Sequence, residues 1–251
     1  MPFFFRPLTT TTYEICSADI PESFDGYRIV QVTDLHGASF GQKESELLKA
    51  IKDCEPDLIV FTGDMYDESH GIGNLLEVIS GSVKLSPVYA VSGNHEFDSW
   101  MAFQALLSIY EAYGVTFLDD DSTLIENDVG ESIYLAGAKF HWLKDITELP
   151  PADPNHYSIL LNHAGNYFDV LCQSDYDLIL SGHTHGGIIR LPFVGGLIGM
   201  GEDRILPKYD YGKYIANDTT IIISSGLGES FIPRFNNPPE IVLITLRHSN
   251  E

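Results

Sequence analysis

Basic side chains are scarce in this sequence of 251 residues: 14 Lys and Arg stand against 36 Asp and Glu, for a formal net charge of −22. Nucleic acid is held largely by Lys and Arg that neutralise its phosphates, so this balance argues against a nuclease, and an anionic bilayer would repel the chain as well. Cysteine is equally sparse. Cys16, Cys54 and Cys172 are widely spaced, which argues against a disulfide framework and suits a reducing compartment. No apolar stretch approaches the about 20 residues that span a bilayer, so no transmembrane helix is expected. The start, Met1-Pro-Phe-Phe-Phe-Arg6-Pro7, is too short and too interrupted for a signal-peptide core. The cytoplasm is therefore the expected address, with a peripheral membrane hold through Phe3, Phe4 and Phe5 as the alternative. Repeats and low-complexity linkers are missing too, and a single domain over residues 1–251 is expected, with 1–12 disordered or an edge extension.

What is present is a set of five short apolar runs, each ending on metal-type residues. They are Ile29-Val-Gln-Val-Thr-Asp34-Leu-His36, Leu58-Ile-Val-Phe-Thr-Gly-Asp64, Val88-Tyr-Ala-Val-Ser-Gly-Asn94-His95, Ile159-Leu-Leu-Asn-His163 and Leu178-Ile-Leu-Ser-Gly-His183-Thr-His185. Runs of this kind are how strands buried on both faces read in sequence. Loops at the carboxyl ends of such strands converge, so residues distant in sequence can meet at one edge. A lone His is usually a satisfied core or surface residue. Here His36, His95, His163, His183 and His185 all stand at run ends, whereas His70, His141, His156 and His248 do not. A carboxylate such as Asp64 can bridge two cations, while imidazoles and an amide oxygen complete each shell without added charge. Two divalent ions about 3.5–4 Å apart bind both sides of a phosphoryl group and acidify water, which points to phosphoester hydrolysis.

These residues resemble the calcineurin-like metallophosphoesterases. The pattern D-x-H, G-D-x-x, G-N-H-[DE], a single His and G-H-x-H is matched in order by Asp34-Leu-His36, Gly63-Asp64-Met-Tyr, Gly93-Asn94-His95-Glu96, His163 and Gly182-His183-Thr-His185. The resemblance implies an α/β fold, a four-layer metallophosphoesterase sandwich of two mostly mixed β-sheets flanked by helices, with a dinuclear metal site at the strand ends. It implies that Asp34, His36, Asp64 and His185 hold one ion and that Asp64, Asn94, His163 and His183 hold the other. A bridging hydroxide would attack, and His95 would protonate the leaving oxygen. Asp67, the last residue of the Gly63–Asp67 block, is expected to pair with a neighbouring His or Arg instead of binding metal. Mn, Fe and Zn all suit the donor set.

Within the family the tail is similar to the bacterial YkuE/YaeI-like phosphodiesterase branch, through the stretch beginning Gly182-His-Thr-His-Gly-Gly-Ile-Ile-Arg190, then Pro207-Lys-Tyr-Asp-Tyr-Gly-Lys-Tyr214, then Gly226-Leu-Gly and Pro233-Arg-Phe. That likeness implies a phosphodiesterase or pyrophosphatase in preference to a monoesterase, acting on a small phosphoester, with lipid-linked and nucleotide-sugar compounds as the substrate classes. The competing expectation is a scaffold or binding protein that keeps the fold without turnover. Tyr66, His70 and Asn166 lie close in sequence to ligands and are candidate substrate contacts. Arg190 and Arg234 are rare cations that could hold a phosphate oxygen, against a structural salt bridge. Gly137-Ala-Lys-Phe-His-Trp142 departs from the branch, which has a Gly followed by acidic residues there. Residues 188–200 are read as a buried hairpin, or as an apolar surface for an acyl chain.

Between the motifs, helices are expected over 44–54, 74–80 and 99–113, the last capped by Ser99 or Asp98 and burying Met101, Phe103, Leu106, Leu107 and Tyr110. Further strands are expected over 115–118, 132–136, 219–225 and 240–246.

Overall fold

A computed structural model describes residues 7–143, 145–199, 205–229 and 232–250. In chain order the elements are β1 (Thr9–Ser17), β2 (Arg28–Val32), α1 (Ser45–Asp53), β3 (Leu58–Thr62), α2 (Gly73–Ser82), β4 (Val88–Val91), α3 (Trp100–Tyr113) and β5 (Thr116–Phe117). They continue with β6 (Asp121–Glu126), β7 (Ser132–Gly137), β8 (Ser158–Ala164), α4 (Phe168–Leu171), β9 (Leu178–Gly182), β10 (Arg190–Leu191), β11 (Gly195–Gly196), β12 (Gly212–Ala216), β13 (Thr219–Ile223) and β14 (Glu240–His248).

Two six-stranded sheets result, ordered β1-β14-β2-β3-β4-β5 and β12-β13-β9-β8-β7-β6. Each contains a parallel run, β2-β3-β4-β5 in one and β13-β9-β8-β7 in the other, with antiparallel pairing at β14–β2, β12–β13 and β6–β7. The parallel strands carry the apolar runs because both of their faces are covered. On β3, Leu58 and Val60 point between the sheets with Ile159, Leu161, Leu178 and Leu180 of the partner sheet. Ile59 and Phe61 point outward onto Leu47 and Ile51 of α1 and Leu75, Val78 and Ile79 of α2. The second sheet repeats the alternation: Leu160 and Ile179 face outward onto Phe168, Leu171 and Tyr176. Its cover is thinner, since α4 has only four residues and loops do the rest.

Several elements differ from expectation. The Thr-rich start takes the edge-extension alternative expected for residues 1–12, because β-branched Thr fits a half-exposed pleat even without apolar alternation, and as β1, parallel to β14, it runs on to Ser17, beyond the expected bound. Strands β6 and β12 are additions to the expected set. In α3, Ser99 is the cap, its Oγ accepting from Ala102 N, and Phe103, Leu106 and Tyr110 are buried. Met101 is a correction: it is 81% exposed, because it lies off the face that carries 103, 106 and 110. Leu107 is half-buried. Phe3, Phe4, Phe5 and Met200 lie outside the described residues. No helix among the described residues is long and apolar enough to cross a membrane.

Candidate metal centre

The ends of β2, β3, β4, β8 and β9 bring Asp34, His36, Asp64, Asn94, His95, His163, His183 and His185 to one edge between the two sheets. The backbone there is unusual. Asp34, His36, Asp64, His183 and His185 all have positive φ, between 44° and 73°, a region that non-glycine residues rarely enter. Close approach of the loops explains two motif glycines. A Cβ on Gly93 would collide with the Asp64 carboxylate, and one on Gly182 would collide with Thr33 Oγ1 and Asp34 Oδ2.

Two buried groups form, Asp34–His36–His185 and Asp64–His163–His183, with the candidate ligand atoms of each within 4.8 Å of one another. Asp64 joins them: its Oδ2 lies 3.1 Å from His163 Nε2 and 3.6 Å from His36 Nε2. Asp34 Oδ1 lies 3.6 Å from His185 Nε2 and 3.9 Å from His36 Nε2. The contacts of 3.6–3.9 Å are long for hydrogen bonds, whereas the 3.1 Å His163–Asp64 contact is within their range. Donors that each sit about 2.1 Å from one cation stand roughly 3.0–3.5 Å apart, close to this spacing. Buried Asn94 Oδ1, His36 Nε2 and His183 Nε2 have no hydrogen-bond partner among the described residues. Oxygen and imidazole donors left unused at such spacing fit divalent cations.

The electrostatics agree. Burial alone would raise Asp34 and Asp64, but neighbouring histidines, His185 and His36 at Asp34 and chiefly His163 at Asp64, hold both carboxyls well below their usual range. Burial opposes charge on His163 and His36. Even so, Asp64 raises His163 to about 10, and the carboxylates of Asp34, Asp64 and Asp67 raise His36. Burial lowers His183 to about 4 and His185 to about 3, keeping both in the neutral form that a ligand requires. The edge is thus a sink for positive charge.

Surrounding groups orient the rings. His163 Nδ1 lies 2.7 Å from Thr62 O, an acceptor, so Nδ1 carries a proton and Nε2 faces Asp64. Asp34 accepts from His183 N at 3.1 Å and from Thr33 Oγ1 at 2.9 Å. Asp67 Oδ2 lies 3.5 Å from His36 Nδ1 and 4.0 Å from His95 Nδ1, and its Oδ1 lies 3.5 Å from His70 Nδ1, the pairing with neighbouring His expected for it. His95 donates its backbone N–H to Asp64 Oδ1 at 2.8 Å, and its Nδ1 lies 2.9 Å from Asp98 Oδ2.

Of the candidate substrate contacts, Tyr66 is half-buried and packs on the helix-covered core, while His70 is exposed beside Gly37, just after His36. Asn166 follows His163 in a short turn, and its Oδ1 is buried without a partner among the described residues. The Arg190 guanidinium is held at 2.7 Å by both Asp210 Oδ2 and Gly186 O and lies over the Tyr211 ring, the salt-bridge reading. Arg234 is buried, donating to Gly228 O at 2.7 Å and Ser225 O at 2.6 Å. Sequence reasoning gave no role to Glu96. Its buried carboxylate accepts from Asp64 N (2.9 Å), Gly93 N (2.7 Å) and Tyr66 N (3.1 Å), tying two ligand loops together. Burial and Asp64 push it up to about 7. A charged residue directly after the motif histidine was the available signal.

Two mixed sheets flanked by helices, with buried His and Asp grouped at one edge, define a metallohydrolase architecture. The calcineurin-like phosphoesterase family model matches residues 27–187. The uncharacterized metallophosphoesterase YkuE of Bacillus subtilis (strain 168) is 30% identical over 260 residues, covering 97% of this chain and 87% of that protein. The phosphodiesterase YaeI of Escherichia coli (strain K12) is 27% identical over 225 residues, covering 88% and 82%. Among solved structures, TT1561 of Thermus thermophilus superposes with a TM-score of 0.48 at 10% identity, covering 79% of this chain and 88% of that one. The chain belongs to the calcineurin-like phosphoesterase family, whose members are metal-dependent phosphoester hydrolases.

Proposed function

We propose that this phosphoesterase cleaves small phosphodiesters or pyrophosphates at a two-cation centre, with His95 as the proton donor. The observation that carries this reading is the Asp64 carboxylate shared between the two buried groups, with His95 bonded to it through its backbone N–H. Asp34, His36 and His185 would hold one ion with Asp64, and Asn94, His163 and His183 the other with Asp64. Bound divalent ions, with Mn, Fe and Zn all suited, would supply Lewis acidity that neutralises the phosphoryl oxygens and acidifies water. The protein's own part is positional. Thr62 O fixes the His163 tautomer, Asp67 backs His36, and Glu96 keeps the Asp64 and Asn94 loops in register. Asp98 lies against His95 Nδ1, so Nε2 is the nitrogen left to pass a proton to the departing oxygen. The name of YaeI supports a diester over a monoester, and the net charge of −22 supports a small substrate over a polynucleotide.

The test is hydrolysis of bis(p-nitrophenyl) phosphate and p-nitrophenyl phosphate by chelator-stripped protein, with Mn²⁺, Zn²⁺ or no metal restored. Metal-restored cleavage favouring the diester is expected. No cleavage with two ions demonstrably bound would overturn the reading.

A further inference from the structure

Aromatic side chains gather against one half of the centre. The Phe140 ring lies 5.8 Å from His163 and 6.0 Å from His183, and the Trp142 ring lies 5.9 Å from His183. Trp142 in turn meets Phe140 at 5.2 Å and Tyr167 at 6.5 Å, both at steep interplanar angles. The other half of the centre has no such wall among the described residues. Around Asp34, His36 and His185 the neighbouring rings are the imidazoles of His36, His95 and His185 themselves.

This segment is fastened in place. Phe140 N donates to Ser92 Oγ at 3.0 Å and Lys139 N to Asp120 Oδ1 at 3.1 Å. Ser92 is itself held by Asp119 through its N–H (2.8 Å) and Oγ (2.7 Å), two residues before Asn94. The rings are therefore tied to the strand end that presents a proposed ligand. Yet Trp142 stays 51% exposed. An indole in edge contact with Phe140, Tyr167 and His183, half exposed beside a phosphoryl-binding edge, can serve as a stacking platform.

Resting on the hydrolase reading, we propose that one group esterified to phosphorus carries a planar ring, a nucleobase, that stacks on Trp142, with Phe140 and Tyr167 holding the indole. An acyl chain would call for a continuous aliphatic groove. Here Trp142 meets the rings of Phe140 and Tyr167 and the His183 imidazole, and Asn166 Oδ1, in the same turn as Tyr167, is an unused buried acceptor suited to the N–H edge of a base. A polynucleotide is disfavoured by the net charge of −22, which leaves a mononucleotide ester or a nucleotide pyrophosphate.

The test uses the Trp100→Phe protein, which leaves Trp142 as the sole indole, reconstituted with Zn²⁺. AMP is expected to quench its fluorescence, and ribose 5-phosphate at the same concentration is not. In kinetics, Trp142→Ala is expected to lower kcat/KM for the p-nitrophenyl ester of thymidine 5′-phosphate by about 10- to 100-fold, the usual worth of one base stacked on an aromatic side chain. Turnover of methyl p-nitrophenyl phosphate should change less than about twofold, and Trp142→Phe should recover most of the loss. Equal losses on both esters, or equal quenching by AMP and ribose 5-phosphate, would overturn the proposal. If the parent protein cleaves neither ester, the hydrolase reading fails, and the quenching comparison alone decides whether a base is bound.

Discussion

The ligand-bearing loops and the exposed segments around them border the same edge of the sandwich but obey different rules. In the loops, five non-glycine residues sit at positive φ, glycines at 93 and 182 leave no room for a Cβ beside carboxylates of other loops, and Asp34, His36, Asp64, His163, His183 and His185 are buried. In the segment 139–142 and in the β10–β11 hairpin, Trp142 and Phe193 stand largely in solvent. The first region is over-determined, because any displacement breaks several close contacts at once. In the second, backbone bonds such as those of Lys139 and Phe140 fix the segment while its exposed side chains are free to vary, and it is where a substrate would be told apart from its relatives.

The sharpest way to break this comparison is Asp64→Ala. Because Asp64 joins the two groups, the variant is expected to lose both cations and all detectable turnover together, read by metal analysis beside the diester assay. Activity retained at normal rates would remove the shared carboxylate from the centre. Next in size is His95→Ala. It should keep its metals and slow the diester by about 10²- to 10⁴-fold, the ordinary contribution of a positioned acid. An unchanged rate would show that His95 is a structural neighbour only. Gly93→Ala then adds a single methyl against the Asp64 carboxylate. Overpacking of this kind costs about 1–3 kcal/mol, and the variant should bind metal more weakly even where it still folds, as urea melts and metal titration would show.

How much of this was legible in the sequence follows the same divide. Metal chemistry restricts residue types, so Asp34, His36, Asp64, Asn94, His163, His183 and His185 stood out at the ends of apolar runs, and parallel strands buried on both faces gave those runs their form. The support behind them was less visible. Glu96 reads as one more acidic residue until its three backbone donors are seen, and Asp98 as a helix cap until it is found beside His95 while Ser99 does the capping. The rings of Phe140 and Trp142 follow no period, so nothing local tied them to His163 and His183. Met101 departs for a simpler reason: it is apolar in an amphipathic helix, but its angular position faces out. β1 stayed open because four threonines read equally well as loop or edge strand.

A subtler effect is expected where the two regions are joined. Asp119, holding Ser92 and through it Phe140, is raised by burial to about 6. A carboxyl whose folded value is raised binds its proton more tightly in the native state. The stability this gives is therefore complete below pH of about 4 and is lost as pH rises through about 6, a change on the order of 3 kcal/mol. Asp119→Asn cannot ionise, so the difference in stability between wild type and variant should shift in the variant's favour from pH 4 to pH 7. Urea denaturation of the metal-free proteins at both pH values measures it, and a constant difference would show that Asp119 does not titrate in this range.

The smallest effect tests the other side of the comparison. Phe193, at the tip of the β10–β11 hairpin, is fully exposed, and Phe193→Ala removes far more material than Gly93→Ala adds. If the exposed segments carry no share of the fold's stability, the variant should melt within about 0.5 kcal/mol of wild type and cleave bis(p-nitrophenyl) phosphate at the same rate. The hairpin follows the His185 turn directly, and Gly187 and Gly196 are in close contact beneath it, so the prediction is not trivial. A loss as large as that of Gly93→Ala would mean that the hairpin braces His185 through this contact. The boundary between the constrained and the variable region would then lie further out, at the tip of the hairpin.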